Sequence, residues 1–367
     1  MTVEVLERVT EKPVSAGIVD CDIHPSPKGP LGVLPYLPPR WQEHLQSFGN
    51  GFRQPFTAGM PYPRFGDGNR MDARLPDGSH GGSNLALMQR QHLDANNVAY
   101  GVLQVLGPNA QSQRNLAFGA ALATAVNEWQ LDAWCHPEPR LKASLVVPQE
   151  DPEASAREIR LRAKDRNFIQ VALAPRAIEP LGRRRYWPIF AAAVEAGLPI
   201  GLHVGGFGGT PPSGSGWVSY YLEDHHSNTE SMQALVTSLV LEGVFEEFPT
   251  LKFVLIEGGF VWLPALAWRL DKHWKTLKAE VPHLKRAPSE YIREHFWFTT
   301  QPIDEPNKPQ HMRETLEWIG FDRILFSTDY PHWDFDDPAT ALSKIRMSAE
   351  ERRMIFRDNA AALYGLD

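Results

Sequence analysis

Short runs of consecutive apolar residues alternate along the chain with longer stretches whose apolar positions recur every three or four residues. The short runs are Gly17 to His24, Ala99 to Leu106, Leu141 to Val147, Phe168 to Leu173, Leu198 to His203, Leu251 to Ile256, His295 to Thr300 and Arg323 to Ser327. Most are bounded by Gly, Pro or Asp, and all are shorter than an ordinary helix, so they read as buried strands. Helical spacing appears between them: Leu85, Met88, His92 and Leu93; residues 113–134; Pro152 to Lys164 behind the cap Asp151; Trp187 to Ala196 closed by Gly197; then 228–246, 261–275 and 308–318. Two further helices, about 337–346 and 349–363, are expected at the end.

Strand–helix alternation implies parallel strands joined by crossovers. Eight such units predict an α/β fold of the (β/α)8 TIM barrel type. An open doubly wound sheet is the alternative, but it calls for a Gly-rich phosphate turn after the first strand, where this chain has Asp22, His24 and Pro25.

Two stretches lack the rhythm. Residues 1–16 read as a polar arm. Residues 25–82 are rich in Pro and Gly, with Tyr36, Trp41, Phe52, Arg53, Phe56, Tyr62, Arg64 and Phe65 interspersed. So long a stretch without periodicity is a cover or a linker, and its aromatic content favours a packed cover. The expected layout is an arm (1–16) and one barrel domain (17–367), with the insertion 25–82 lying over the mouth.

Composition narrows the function classes. Apolar residues make up 43% of the 367 and charged residues 22%, enough for a large core and too little charge for disorder. The net charge of −7 and the lack of long basic runs argue against nucleic acid. Arg183, Arg184 and Arg185, the densest cluster, read as a solvated helix start. Cys21 and Cys135 form neither a disulfide framework nor a zinc spacing. No run of about 18 apolar residues exists, and the acidic start lacks the apolar segment of a signal peptide. The expectation is therefore a cytoplasmic protein without a membrane partner, acting on a small molecule. The 11 Trp and the long insertion suggest a homo-oligomer, a dimer or tetramer.

The chemistry gathers at strand ends. Asp22 and His24 close strand 1, His203 strand 5, Glu257 strand 6 and Asp329 strand 8. In a parallel barrel these ends share one mouth, where barrel enzymes build their sites. Taken singly, a strand-end His is a satisfied core group and an Asp before Pro a turn former; converging together, they suit a divalent cation. Asp22, His24, His203 and Asp329 are the expected ligands of one metal ion per chain, zinc first, with manganese or iron as alternatives. Asp20, two residues before Asp22, is expected on the same strand face as a supporting acceptor. Gln301 and His332 are candidates for the substrate pocket. His225 and His226, in the segment after strand 5, are candidates for proton transfer. Arg53, Arg64 and Arg70 in the insertion are candidate carboxylate binders.

Four stretches carry a family resemblance: Val19-Asp20-Cys21-Asp22-Ile23-His24, Leu198 to Gly206, Ile256-Glu257-Gly258-Gly259-Phe260 onward to Pro264, and Leu325-Phe326-Ser327-Thr328-Asp329-Tyr330-Pro331-His332. In this order they resemble the amidohydrolase-related metal enzymes, a group of hydrolases that also includes decarboxylases of aminocarboxymuconate semialdehyde and of hydroxybenzoates. The resemblance implies a distorted barrel with one catalytic divalent ion. Asp22 stands in the first place of the family's strand-1 pair. Many members end strand 6 in a His, followed in the hydroxybenzoate decarboxylases by a Glu three residues on; here those places hold Glu257 and Phe260.

The missing His/Glu pair turns the expectation toward a metal-dependent hydrolase. Metal-activated water would attack a carbonyl-type carbon, Asp329 would carry the proton, His225 or His226 would polarise the carbonyl, and Glu257 would assist. A non-oxidative decarboxylase using the same metal is the alternative, and a non-catalytic binding protein on the same scaffold the third reading.

Overall fold

The computed structural model describes residues 17–29, 31–49, 68–205, 211 and 213–367. Eight parallel strands succeed one another in chain order around one sheet: β1 (Ile18–Ile23), β2 (Val98–Leu103), β3 (Leu141–Val146), β4 (Phe168–Leu173), β5 (Ile200–His203), β6 (Phe253–Ile256), β7 (Phe296–Thr299) and β8 (Ile324–Leu325). The circle is completed by backbone bonds between the two ends of the sheet. Cys21 N donates to Phe326 O at 2.9 Å, Asp329 N to Asp22 O at 3.0 Å, and His24 N to Tyr330 O at 2.8 Å. The barrel predicted from strand–helix alternation is what forms.

The strands are buried on both faces, as parallel strands covered by helices must be. Val19, Cys21, Val102, Ile169, Val254, Ile256, Trp297 and Leu325 form the apolar interior. Ala360 and Tyr364 of the helix Asn359–Tyr364 join them. Leu363 lies beside Pro199 and Lys252, just ahead of β5 and β6, so the C-terminal helix caps the N-terminal end of the barrel. Between strands and helices runs a second, larger apolar layer that includes Phe190, Phe245, Phe253 and Phe296. Among the described residues, no helix is long and apolar enough to cross a membrane.

Strand β1 carries a bulge that matters for the site. Asp20 aligns with Gly101 and Ile23 with Leu103, so three steps on β1 match two on β2. The extra residue reverses the facing of the residues after it. Val19 and Cys21 lie in the barrel interior, whereas Asp20 turns toward the helical layer and meets His92 Nε2 at 2.7 Å. The expectation that Asp20 shares the face of Asp22 and His24 is therefore wrong: strict alternation ends at the bulge.

Other differences have local causes. Residues 337–346, expected as a helix, form a series of turns, and Leu342 has φ +58°, which no right-handed helix accommodates. The helix expected from 228 begins at Tyr221, where the Glu223 carboxylate accepts from Ser219 N and Tyr220 N at 2.9 and 3.0 Å. Its first two turns are too polar to show an apolar stripe. His225 and His226 therefore sit on this helix and not in a connecting segment. Inside the insertion lies a helix that periodicity did not predict, Pro39–Phe48, though Pro at its first position and Trp41 and Leu45 on its buried face mark it.

Candidate metal centre

Asp22, His24, His203 and Glu257 each present a ligand atom, and these atoms lie within 4.8 Å of one another. Asp329 joins from the far side of His24, whose Nε2 is 2.7 Å from Asp329 Oδ1 and 3.2 Å from Asp22 Oδ1. His203 Nε2 is 2.9 Å from Glu257 Oε2 and 3.8 Å from Asp22 Oδ1. The four ligands expected from the sequence are thus brought together, and Glu257 stands among them.

Both imidazoles are oriented by their second nitrogen. His24 Nδ1 bonds Gln104 O at 3.0 Å, and His203 Nδ1 bonds Val204 O at 2.8 Å. A backbone carbonyl accepts only from N–H, so each Nδ1 carries the hydrogen and each Nε2 turns a lone pair toward the carboxylates. Asp22 Oδ1 and Oδ2, His24 Nε2 and His203 Nε2 are buried without a hydrogen-bond partner. Buried polar atoms are rarely left so. Close apposition without hydrogen-bond alignment fits atoms that converge on a shared cation, and the mixed imidazole–carboxylate donor set fits manganese, zinc or iron.

The backbone is strained at the two carboxylates after β6 and β8. Glu257 has φ +61° and Asp329 φ +64°. A left-handed conformation costs a residue with a Cβ about 1–2 kcal/mol, a cost that persists where surrounding structure enforces it. At Asp329 the enforcing contacts come from below. Asp20 Oδ1 accepts from Thr328 N at 3.0 Å and from Asp22 N at 3.1 Å, and Asp20 Oδ2 accepts from Thr328 Oγ1 at 2.5 Å. One buried carboxylate so ties the residue before Asp329 to the backbone of Asp22.

Electrostatics reflect four carboxylates in a confined space. Burial, then Glu257, Asp22 and Asp334, push the Asp329 carboxyl well above its ordinary range. At His24 and His203 burial opposes protonation, but Asp22 and Glu257 outweigh it and raise both imidazoles above the ordinary 6.5. His332 stacks on His24 with ring centroids 4.3 Å apart, and its Nδ1 lies 2.6 Å from Asp329 Oδ1. Burial first, then His24 and His203, press its pKa down to about 2, so it is neutral.

The remaining candidates divide. Gln301 is fully buried; its Nε2 reaches Asp329 Oδ2 at 3.3 Å and Asp334 Oδ2 at 3.1 Å. His225 Nε2 meets Asp334 Oδ2 at 3.2 Å. Among the described residues, His226 does not join the ligand groups. Arg53 and Arg64 lie outside the described residues, and Arg70 donates from Nε and Nη2 to the Asp72 carboxylate at 2.8 and 2.6 Å. Asp334 is a site residue that the sequence pattern did not single out. Its only signal was a carboxylate five residues after Asp329 in the same loop.

Residues 68–82, the described end of the insertion, run along the loop after β8. Arg70 N donates to Pro331 O at 2.9 Å and Trp333 N to Gly68 O at 2.8 Å, while Ser26 N donates to Gly82 O at 2.6 Å. A Cβ at Gly82 would overlap the His24 carbonyl, and one at Gly81 the Tyr330 hydroxyl. The close approach of this segment to the centre requires both glycines.

The family profile described as Amidohydrolase matches residues 19–366. A gamma-resorcylate decarboxylase of Rhodococcus jostii (strain RHA1) is 26% identical over 296 residues, covering 75% of this chain and 86% of that protein. A second, from Polaromonas sp. (strain JS666), is 25% identical over 290 residues with the same coverage. Among solved structures, the 5-carboxyvanillate decarboxylase of Novosphingobium aromaticivorans, holding manganese and 3-methoxy-4-hydroxy-5-nitrobenzoic acid, superposes with a TM-score of 0.73 at 20% identity, over 96% of this chain and 98% of that one. These relatives correct the expectation of a hydrolase: both of the sequence relatives named here are carboxy-lyases. The error has a physical origin. A cation on carboxylates and imidazoles serves water activation and carboxylate binding equally, so the ligand pattern does not choose the reaction, and the missing strand-6 His/Glu pair does not exclude decarboxylation. From the barrel, the strand-end residues and a profile match that runs from β1 almost to the C-terminus, the chain belongs to the amidohydrolase family.

Proposed function

We propose that this protein is a metal-dependent non-oxidative decarboxylase of hydroxylated aromatic carboxylates, with one cation held by Asp22, His24, His203 and Asp329. The observation that carries the reading is the set of partnerless buried lone pairs on Asp22, His24 and His203, in a chain whose curated relatives are decarboxylases. Manganese is the first metal to test, because a decarboxylase structure of the same fold holds it; zinc and iron suit the donors as well. When bound, the cation supplies positive charge for the substrate carboxylate and a neighbouring hydroxyl.

The residues divide the remaining work. Asp329 delivers a proton to the ring carbon bearing the carboxylate. The bond to the carboxylate then breaks, carbon dioxide leaves, and the bonding pair restores the aromatic ring. The proton on that carbon replaces the lost group, so the step consumes one proton and no water. His332, partly exposed, donates from Nδ1 to Asp329 Oδ1 at 2.6 Å and holds the carboxyl in place. Tyr221, His225 and Trp333, with ring centroids 5.9 to 6.3 Å apart, form an aromatic wall at the mouth. Residues 68–82, bonded to the loop after β8, flank this mouth and limit the entry of water.

The test is to incubate manganese-loaded protein in deuterated water with a panel of hydroxybenzoates and methoxylated analogues. Carbon dioxide release with deuterium at the vacated ring position is expected, and Asp329→Asn should lower turnover at least 100-fold, a typical weight for a positioned acid. A fully loaded enzyme that releases no carbon dioxide from any of these acids refutes the proposal.

A further inference from the structure

We propose that His92 is a positioning residue for the metal centre, acting through Asp20 and Tyr330 on the ligands Asp22 and Asp329. The inference rests on the reading of the centre as a metal site and not on the reaction assigned to it. His92 and Asp20 are both fully buried. A carboxylate sealed from water is costly unless donors surround it. Among the described residues Asp20 has four. The amides of Asp22 and Thr328 donate to Oδ1, the Thr328 hydroxyl to Oδ2, and His92 Nε2 to Oδ2 at 2.7 Å. The first three belong to the ends of β1 and β8, which carry the ligands. His92 comes from a third element, the helical segment Gln89–Asp94 that precedes β2.

The imidazole is itself held in one form. Asn96 Nδ2 lies 3.1 Å from His92 Nδ1. An amide N–H donates, so Nδ1 is the acceptor and the ring hydrogen sits on Nε2, facing Asp20. Asn96 stands one turn beyond His92, and its backbone amide donates to the His92 carbonyl at 3.0 Å. The residue that sets the tautomer is therefore fixed by the same turn.

A second contact reaches the same loop. The His92 ring lies flat on Tyr330, with centroids 4.6 Å apart and planes 6° apart. The neighbouring Gln91 Oε1 accepts from the Tyr330 hydroxyl at 2.8 Å. Tyr330 O in turn accepts from His24 N at 2.8 Å. Asp329, left-handed at φ +64°, thus sits between two residues that both depend on His92: Thr328 through Asp20, and Tyr330 by stacking. A strained residue keeps its conformation only where its surroundings enforce it. Without the imidazole N–H, Oδ2 of Asp20 keeps only the Thr328 hydroxyl, and the carboxylate that ties Asp22 to Thr328 is free to turn. Loss of such a partner behind a ligand typically costs about 10–100-fold in metal affinity.

The experiment strips full-length protein with chelator and titrates it with manganese(II), read by calorimetry and electron paramagnetic resonance, with circular dichroism reporting the fold. His92→Leu should bind about 10–100-fold more weakly and show an altered zero-field splitting, because the ligand geometry relaxes. His92→Gln, which carries an amide N–H near the place of Nε2, should restore both affinity and spectrum. The double variant His92→Leu/Asp20→Asn should bind no more weakly than the weaker single variant, because both changes break one link. A wild-type isotherm and spectrum in His92→Leu, a glutamine variant as defective as the leucine one, or fully additive losses overturn the proposal. If His92→Leu does not fold, Asn96→Ala decides. It releases the Nδ1 contact at a half-exposed position and should weaken binding, and an unchanged isotherm overturns the proposal. A wild type that takes up no manganese overturns the metal centre as well. Tight manganese binding with the expected variant effects but no carbon dioxide release overturns the reaction alone and supports the role of His92.

Discussion

His203→Ala should remove the stabilisation that a metal confers. A ligand present at 100 times its dissociation constant stabilises the folded state by about 2.7 kcal/mol. At about 2.1 cal/mol/K per residue, the 367 residues give an unfolding entropy of roughly 0.77 kcal/mol/K. Saturating manganese should therefore raise the melting temperature of the wild type by about 3–4 °C. In the variant, Asp22 and Glu257 lose an imidazole that lies 3.8 and 2.9 Å from them. Breaking a buried charge pair costs about 3 kcal/mol at the low end, fitting a pocket that water can refill. The metal-free variant should thus melt about 4 °C below the metal-free wild type. Differential scanning calorimetry with and without manganese reads both quantities. A variant that keeps the wild-type metal-induced shift refutes the assignment of His203 as a ligand.

The same geometry predicts three further outcomes. The raised imidazoles of His24 and His203 and the raised carboxyl of Asp329 favour the protonated forms in the folded, metal-free protein. Their contribution is therefore fully present below the unfolded pKa values and is lost as pH rises through the folded ones. The metal-free protein should lose melting temperature as pH rises from about 6 to 8, with manganese binding that tightens over the same range and releases protons, both readable by calorimetry in buffers of different ionisation enthalpy. Asp20→Asn touches no ligand atom but loosens the tie between Asp22 and Thr328; manganese affinity should fall about 10–100-fold, and an unchanged titration isotherm would refute the positioning role. Gly82→Ala drives a methyl group into the His24 carbonyl, so chemical denaturation should show a loss of about 1–3 kcal/mol together with weakened metal binding.

The barrel and much of its centre were legible in the chain because both rest on local patterns. Apolar runs separated by helical spacing specify parallel strands, and polar residues at the ends of those runs must share one rim once the sheet closes. Asp22, His24, His203, Glu257, Asp329, Gln301 and His332 could all be named from that rule. The 337–346 segment departs from expectation because one left-handed residue, Leu342, stops a helix without altering the apolar pattern. The start of the helix at Tyr221 was hidden because its first turns carry charged and aromatic residues that serve the site more than the core.

Sequence by itself determined which residues lie at the rim of the barrel, since strand order and side-chain type are written along the chain. Only the tertiary structure decided how they combine. Alternation with Val19 and Cys21 set Asp20 outward onto Thr328 and His92, and the bulge that follows it in β1 turned Asp22 inward. Strand closure placed Asp334 and His225, 109 residues apart, within 3.2 Å. Periodicity encodes the face of a regular element. A single inserted residue or a loop return changes that face by steric and hydrogen-bonding choices settled only when distant strands meet.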